Sequence, residues 1–414
     1  MKIEPVGGVF QAYEIPGDKS ITHRAVMFNA AARGSAVITN ALAGEDCLST
    51  INCMRALGAH IERDGNTISV EGVSDFRDNA LCDCGNSGTT MRLLCGLIAG
   101  KGVNAVLTGD ESLSSRPMRR VSEPLSLLGA NIQTNGGKAP LRVYAAPLKG
   151  NRIETKVASA QVKSALLLAG LGAEGETTVS EPVKSRDHTE RMLAAMGADI
   201  EVNGNSVSVR KSALTAVDID VPADISSAAY FLALGALKGE TLCRNVGVNP
   251  TRTGLLKAFD LLGVKYECKN LRTVCGEPVA DIRVEKSEMR AITLTSEIMP
   301  SLIDELPVIA LLCAFAEGES VITGAEELKV KESDRILSTA EMINALGGNI
   351  LATDDGFIIR GKKSLAGGKV NSYGDHRIAM TAAIGMLASE RGGEIAGAEC
   401  VNISFPDFYK LLKQ

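Results

Sequence analysis

The sequence predicts an α/β protein of two similar domains, and three observations predict it. The first is a recurring pattern: MRALGAHIERDGNTISVEG at 54–72, then SLLGANIQTNGGKAPLRVY, MLAAMGADIEVNGNSVSVR, FDLLGVKYE and MINALGGNILATDDGFIIRG. Each copy reads as an amphipathic helix ending at a glycine, then an alternating strand. In most copies an Asn/Asp/Gly turn and a second strand follow. The second is the spacing of the marker glycines Gly58, Gly129, Gly197, Gly263 and Gly347. Most lie roughly 70 residues apart, so each copy is an α/β subunit rather than a solenoid turn. The third is a length of 414 residues, ample for two cores. Five copies and the terminal helix FPDFYKLLKQ suggest six units, one split between the chain ends, with three in each domain. A split unit requires two crossings, near residue 14 and near VPADISS at 221–227. The expected domains are 14–222 and 1–13 plus 223–414, with a ligand site in the cleft between them.

Composition removes several function classes. Hydrophobic residues are 45%, charged residues 22% and aromatics 4%, with no tryptophan and a formal charge of -5. An acidic chain poor in aromatics is a weak nucleic-acid binder. Ten cysteines without CxxC spacing and four histidines give no zinc pattern, so reduced, mostly buried thiols in a cytoplasmic protein are expected. The opening MKIEPVGGVFQ has no apolar signal core. Runs such as VIALLCAFA at 308–316 are too short to span a bilayer, so no membrane role is expected.

In chain order, PGDKSITHRA at 16–25 breaks the chain and then presents Lys19, Ser20 and Arg24. It is not a Walker loop, because Asp18 stands where glycine is needed; another anion site and a plain helix cap both remain open. GNSGTTMR at 85–92, holding Asn86 and Gly88, is a glycine-rich turn opening a helix, read as anion-facing amides or as a cap. Arg116 in TGDESLSSRPM precedes proline, which favours extended backbone. VASAQVKSALL opens a helix with Ser159, Ala160 and Gln161, and SRDHTERM places Arg186 before another. In LIDELPVIALLCAFA, Asp304 and Glu305 precede an apolar helix, as a dipole charge or as a base. KVKESDRIL puts Lys331 and Arg335 at i and i+4, predicting one helical face with Glu332 beside it. SYGDHRIAM carries Asp375, His376 and Arg377 at a glycine-marked helix start.

Together, seven cations (Lys19, Arg24, Arg116, Arg186, Lys331, Arg335 and Arg377) fall where loops lead into helices, in both halves of an acidic chain. Such clusters focus small polyanions, and arginine forks suit carboxylates and phosphates. One aspartate and one glutamate among them are candidates for proton transfer.

These motifs, in order, resemble those of the EPSP synthases (3-phosphoshikimate 1-carboxyvinyltransferases), from about residue 5 to 410. The resemblance implies two domains of three βαβαββ units, an inside-out α/β barrel that the chain crosses into twice. It implies transfer of the enolpyruvyl group of phosphoenolpyruvate to the 5-hydroxyl of shikimate 3-phosphate. The route is addition, then elimination of phosphate, without a metal or organic cofactor, by a cytoplasmic monomer whose partners are these small molecules.

Carried over position by position, Ser20 and Arg24 hold the shikimate carboxylate, and Lys19 lies between both substrates and assists proton transfer. Asn86 and Gly88 line the phosphoenolpyruvate pocket. Arg116 and Gln161 meet its phosphate, and Arg335 and Arg377 its carboxylate. Ser159, Arg186 and Lys331 hold the shikimate phosphate, with Ala160 in the same turn. Asp304 is the base for the 5-hydroxyl, Glu332 carries the proton to the methylene carbon, and His376 orients neighbours. Three positions depart from the family pattern: Ile403 replaces a lysine, Ala160 replaces a serine, and Glu327 stands where some members have asparagine. The absent side chain at Gly88 implies room for glyphosate in the donor pocket. The nearest rival, UDP-N-acetylglucosamine enolpyruvyl transferase, usually opens with Gly-Ala-Lys-Asn and uses a loop cysteine. Here the opening is Gly-Asp-Lys-Ser and the Arg116 loop has no cysteine. A non-catalytic anion-binding repeat scaffold is the alternative from another class; Asp304, Glu332 and the cations are all present against it.

Overall fold

The computed structural model describes residues 1–413. They form two compact units. One comprises Gly17–Pro222 with Thr273–Glu277; the other comprises Met1–Pro16, Ala223–Arg272 and the chain from Pro278 onward. The chain passes between units at Pro16–Gly17 and at Pro222–Ala223. Each unit has its own apolar cluster.

Among the described residues there are six sheets, three in each unit. The repeat is plainest at 80–144. Ala80–Asp83 lies parallel to Ala105–Thr108, which pairs antiparallel with Lys138–Tyr144, and that strand pairs with Asn131–Asn135. A helix follows each of the first two strands. The helix before each hairpin stops at a marker glycine, and all five take positive φ: 110° at Gly58, 92° at Gly129, 86° at Gly197, 81° at Gly263 and 89° at Gly347. Only glycine adopts that region without strain, which is why the mark repeats.

The expectation of a single split unit needs correction, because three sheets recruit a strand distant in sequence. Ile219–Asp220 lies parallel to Ser35–Thr39. Val9–Tyr13 lies parallel to Gly239–Gly247. Lys2–Ile3 pairs antiparallel with Gly393–Ala396. Lys2–Ile3 and Ile219–Asp220 have two residues each and carry no readable alternation, so the pattern that reveals longer strands is missing there. The terminal helix is also shorter than expected, spanning Phe408–Leu411.

Each unit buries three helices on nearly every face. They are Lys19–Ala30, Gly88–Lys101 and Ala160–Gly170 in the first, and Ile225–Lys238, Leu306–Phe315 and His376–Ala388 in the second. A helix apolar all round belongs in a core. Five are capped by a side chain accepting a backbone N–H: Asp18, Ser87, Ser159, Asp224 and Asp375. The sheets therefore lie outside and the helix starts, with their polar motifs, are held rigidly. No helix is long and apolar enough to cross a membrane, among the described residues. Of the ten free cysteines, all but Cys268, Cys275 and Cys400 are buried.

The Gly88 and Ala160 helices touch backbone to backbone. A Cβ built on Gly96 would lie 2.0 Å from the Ala165 carbonyl oxygen, and one on Gly100 would lie 2.6 Å from that of Leu168. Gly96→Ala must therefore separate the helices, and it is expected to lower the unfolding free energy by about 1–3 kcal/mol. Chemical denaturation of the variant beside wild type measures this.

Candidate active site

In the Gly17 unit the three buried helices are tied at their starts into a ring. Arg24, in the second turn of the Lys19 helix, donates from Nη2 to Ser164 Oγ on the Ala160 helix at 2.9 Å. Its Nε donates to Thr189 Oγ1 at 2.7 Å and its Nη1 to the Ser20 carbonyl at 3.0 Å. Gln161, on the Ala160 helix, reaches the Gly88 helix. Its Nε2 donates to Thr89 Oγ1 at 3.0 Å, and its Oε1 accepts from Arg92 Nη1 at 2.6 Å. The Gly88 helix returns to the Lys19 helix through Thr90, Thr50 and His23, each step 2.7 Å.

Around this ring Arg24, Arg92 and Arg116 bond to neutral groups. Arg116, held extended before Pro117 at φ −76° and ψ 144°, donates to Asn86 Oδ1 at 2.7 Å and to Ser112 Oγ at 3.2 Å. Arg92 bonds to Gln161. Burial first, then the charges of Arg120 and Arg116, lower its pKa to about 10. Guanidinium groups whose partners are amides and hydroxyls keep their charge for an incoming anion. Gly88 lies between two of them: a Cβ there would lie 2.9 Å from Arg92 Nη1 and 3.6 Å from Arg116 Nη1. Burial lowers the pKa of Arg24 to about 10, against the opposing charge of Glu190. Arg186 is close enough for its charge to act on Arg24. Lys19 pairs with Asp46 at 3.3 Å. Burial disfavours the Asp46 carboxylate, but Lys19 outweighs that and lowers its pKa.

A buried ion cluster supports the Ser159 turn. Lys163 Nζ lies 2.9 Å from Glu181 and 2.8 Å from Glu190, all three nearly inaccessible. Burial alone would lower the pKa of Lys163; Glu190 and Glu181 overcome it and raise it. Glu181 accepts from the Ser159 N–H at 2.8 Å and from Ser185 Oγ at 2.7 Å. One carboxylate thus fixes both the Ser159 turn and the loop leading to Arg186.

The Ala223 unit gathers Asp304, Glu332, Arg335, His376 and Arg377. Asp304 lies just before the apolar Leu306 helix. Its carboxylate is 3.6 Å from Arg335 Nη1 and 3.8 Å from Arg377 Nη2, and its carbonyl accepts from Arg377 Nη1 at 3.0 Å. Arg335 is 1% exposed and also binds Asp375 at 2.8 Å and Glu332 at 2.5 Å. Burial opposes its charge, yet Glu332 and Asp375 raise its pKa. Arg377 follows the same logic: burial lowers, and Asp304 foremost raises, with a net rise. Asp375 is buried, which would raise its pKa, but Arg335 keeps it below the usual carboxylate value. His376 is the first residue of its helix and its charge acts on Asp375. Beneath lies Glu305, which accepts from Ser226 Oγ. Among the described residues no group of three His, Cys, Asp or Glu side chains is arranged to hold a metal ion.

One local expectation fails. Lys331 and Arg335 do not share a helical face. A 3₁₀ turn over Glu326–Val330 ends at Lys331, whose backbone is extended, and Asp334 then caps a new helix at Arg335. The cap accepts from the N–H groups of both Ile336 and Leu337, and a capping aspartate starts a helix rather than continuing one. Lys331 turns back to Glu327 at 2.7 Å. Arg24 likewise sits inside a helix, not in the loop before it. Residues not foreseen are Arg92, Asp46, Lys163 and Glu181. Arg92 had one signal, its place four residues after Gly88 on the same helix face.

Residues 4–412 match the family model described as EPSP synthase (3-phosphoshikimate 1-carboxyvinyltransferase). The 3-phosphoshikimate 1-carboxyvinyltransferase of Desulfitobacterium hafniense (strain DSM 10664 / DCB-2) is 46% identical over 422 residues, covering 100% of this chain and 97% of that protein. The one from Bacillus subtilis (strain 168) is 46% identical over 423 residues, covering 100% and 99%. The solved structure of EPSP synthase from Acinetobacter baumannii superposes with a TM-score of 0.91 at 42% identity, covering 100% of this chain and 97% of that one. With a match over nearly its whole length in sequence and in fold, this chain belongs to the EPSP synthase (3-phosphoshikimate 1-carboxyvinyltransferase) family.

Proposed function

We propose that the protein carries out the reaction of its family. It transfers the enolpyruvyl group of phosphoenolpyruvate to the 5-hydroxyl of shikimate 3-phosphate and releases phosphate. The observation that carries the assignment of roles is Asp304, a carboxylate held beside Arg335 and Arg377 at the start of a buried apolar helix. A base among cations suits removal of a hydroxyl proton from a polyanionic substrate. The substrates bring two phosphates and two carboxylates, and cations must offset their repulsion before proximity can help.

In this reading Asn86 and Gly88 line the donor pocket, Arg116 and Gln161 hold the donor phosphate, and Arg92 joins them. Arg24 and Ser20 meet the acceptor carboxylate. Ser159, Ala160, Arg186 and Lys331 surround the acceptor phosphate. Arg335 and Arg377 meet the donor carboxylate, Lys19 assists proton transfer, and His376 orients neighbours. Proton delivery to the methylene carbon falls to Glu332, which must part from Arg335 to do it. A monomer working in the cytoplasm belongs to the same proposal, and the free thiols accord with a reducing compartment.

Asp304→Ala is expected to lower the rate of phosphate release from phosphoenolpyruvate with shikimate 3-phosphate by about a hundredfold or more. Release with UDP-N-acetylglucosamine as acceptor would overturn the assignment of acceptor. Glu327→Gln releases Lys331 from its ion pair and should lower KM for shikimate 3-phosphate by about twofold, the worth of an exposed pair; steady-state kinetics at fixed ionic strength reads it. Millimolar glyphosate should slow the reaction at low phosphoenolpyruvate, because Gly88 leaves room before Arg92 and Arg116. An unchanged rate there would show that the pocket excludes it.

A further inference from the structure

We infer that His23 is a positioning residue for the turn at residues 85–89, acting through Thr50, Thr90 and Ser87. Two sides of the helix ring run through groups assigned to substrates. The third side does not. His23 Nδ1 lies 2.7 Å from Thr50 Oγ1, and Thr50 Oγ1 lies 2.7 Å from Thr90 Oγ1. Thr90 donates its hydroxyl to Ser87 Oγ at 2.7 Å, and its backbone N–H reaches the same oxygen at 3.1 Å. All four residues are buried; the first three have no exposed surface. Ser87 stands between Asn86 and Gly88, so this chain ends at the turn assigned to the donor.

Proton accounting gives the chain a direction. Thr90 gives its proton to Ser87, so its oxygen accepts from Thr50, and Thr50 accepts from the N–H at Nδ1 of His23. That leaves the lone pair on Nε2, which faces no hydrogen-bond partner among the described residues. Burial lowers the imidazole pKa to about 4, so the ring stays neutral near pH 7. A neutral donor buried from solvent, with Thr50 as the partner of its Nδ1, has one geometry that satisfies it, and the turn inherits that geometry. His23 therefore sets where Asn86 and Gly88 stand without touching a substrate.

The inference rests on the enolpyruvyl transfer reading for its kinetic consequence, and its test has a readout independent of any reaction. The variants are His23→Asn, His23→Gln, His23→Leu and Thr50→Val, with the double variant His23→Leu/Thr50→Val. An asparagine amide reaches the place of Nδ1; a glutamine amide reaches that of Nε2. His23→Leu, His23→Gln and Thr50→Val should each raise KM for phosphoenolpyruvate about tenfold, the loss of one buried hydrogen bond. KM for shikimate 3-phosphate should stay within about twofold, and His23→Asn should restore the donor KM. The double variant should be no worse than either single, since both cut one chain. Amide hydrogen exchange over residues 87–91 should quicken in the same three single variants and recover in His23→Asn. If His23→Leu does not fold, Thr50→Val and the Asn/Gln pair decide the matter. Equal rises in both KM values, additive singles, or exchange unchanged at 87–91 would overturn the inference. Wild type that releases no phosphate, with the exchange pattern as expected, would overturn the enolpyruvyl reading and leave the role of His23 standing.

Discussion

Gly96 has no side chain because the carbonyl oxygen of Ala165 occupies the place where one would go. From that contact follows the spacing of the Gly88 and Ala160 helices, and from the spacing follows the reach of Gln161. A glutamine side chain spans only a few bonds. It can hold Thr89 with its nitrogen and Arg92 with its oxygen only because the two backbones meet. Were the helices at the usual separation of about 8–10 Å, the amide would fall short and Arg92 would lose its neutral partner. The orientation of a guanidinium bonded to a neutral amide thus depends on a backbone contact about one turn away along the helix.

Buried charge is handled differently in the two units, and the difference suits the work assigned to each. In the Gly17 unit, Arg24, Arg92 and Arg116 bond to hydroxyls, amides and a carbonyl. A tight carboxylate cluster there, around Lys163, sits below the surface and orients loops. In the Ala223 unit Arg335 and Arg377 are already paired with Asp304, Glu332 and Asp375. The first arrangement leaves positive charge for an anion. The second holds one carboxylate, that of Asp304, beside two guanidinium groups. Removing Arg335 would take from the buried Asp375 the guanidinium that offsets its burial, a large penalty in a low dielectric.

Much of the fold was legible because its marks are local. A glycine at positive φ after an amphipathic helix is a property of a few residues, and the five copies announce themselves at Gly58, Gly129, Gly197, Gly263 and Gly347. Pairing between distant strands is not local. Nothing in Ile219–Asp220 or Lys2–Ile3 says which strand they will meet. The motif residues at helix starts were legible for the same local reason, since caps and glycine turns have fixed neighbours. Lys163 and Asp46 were not, because a lysine or aspartate within a helix looks like a solvated one until its partners are known. The Lys331 segment misled for a physical reason: charge spacing at i and i+4 carries no information on whether an intervening aspartate will cap a new helix.

That last case bears on the acceptor phosphate. Had Lys331 and Arg335 shared one helix face, their charges would have stood side by side and acted on a single anion. The capped break parts them. Arg335 goes down to Asp375, almost without solvent contact, while Lys331 stays nearer the surface with Glu327. A cation buried with two carboxylates is fixed in place, whereas a cation in a half-exposed pair can exchange partners at small cost. The break therefore separates a rigid guanidinium, suited to holding a carboxylate in one geometry, from a lysine able to swing to a phosphate. In the proposed reading, Glu327 is the counterion that Lys331 leaves when the acceptor phosphate arrives.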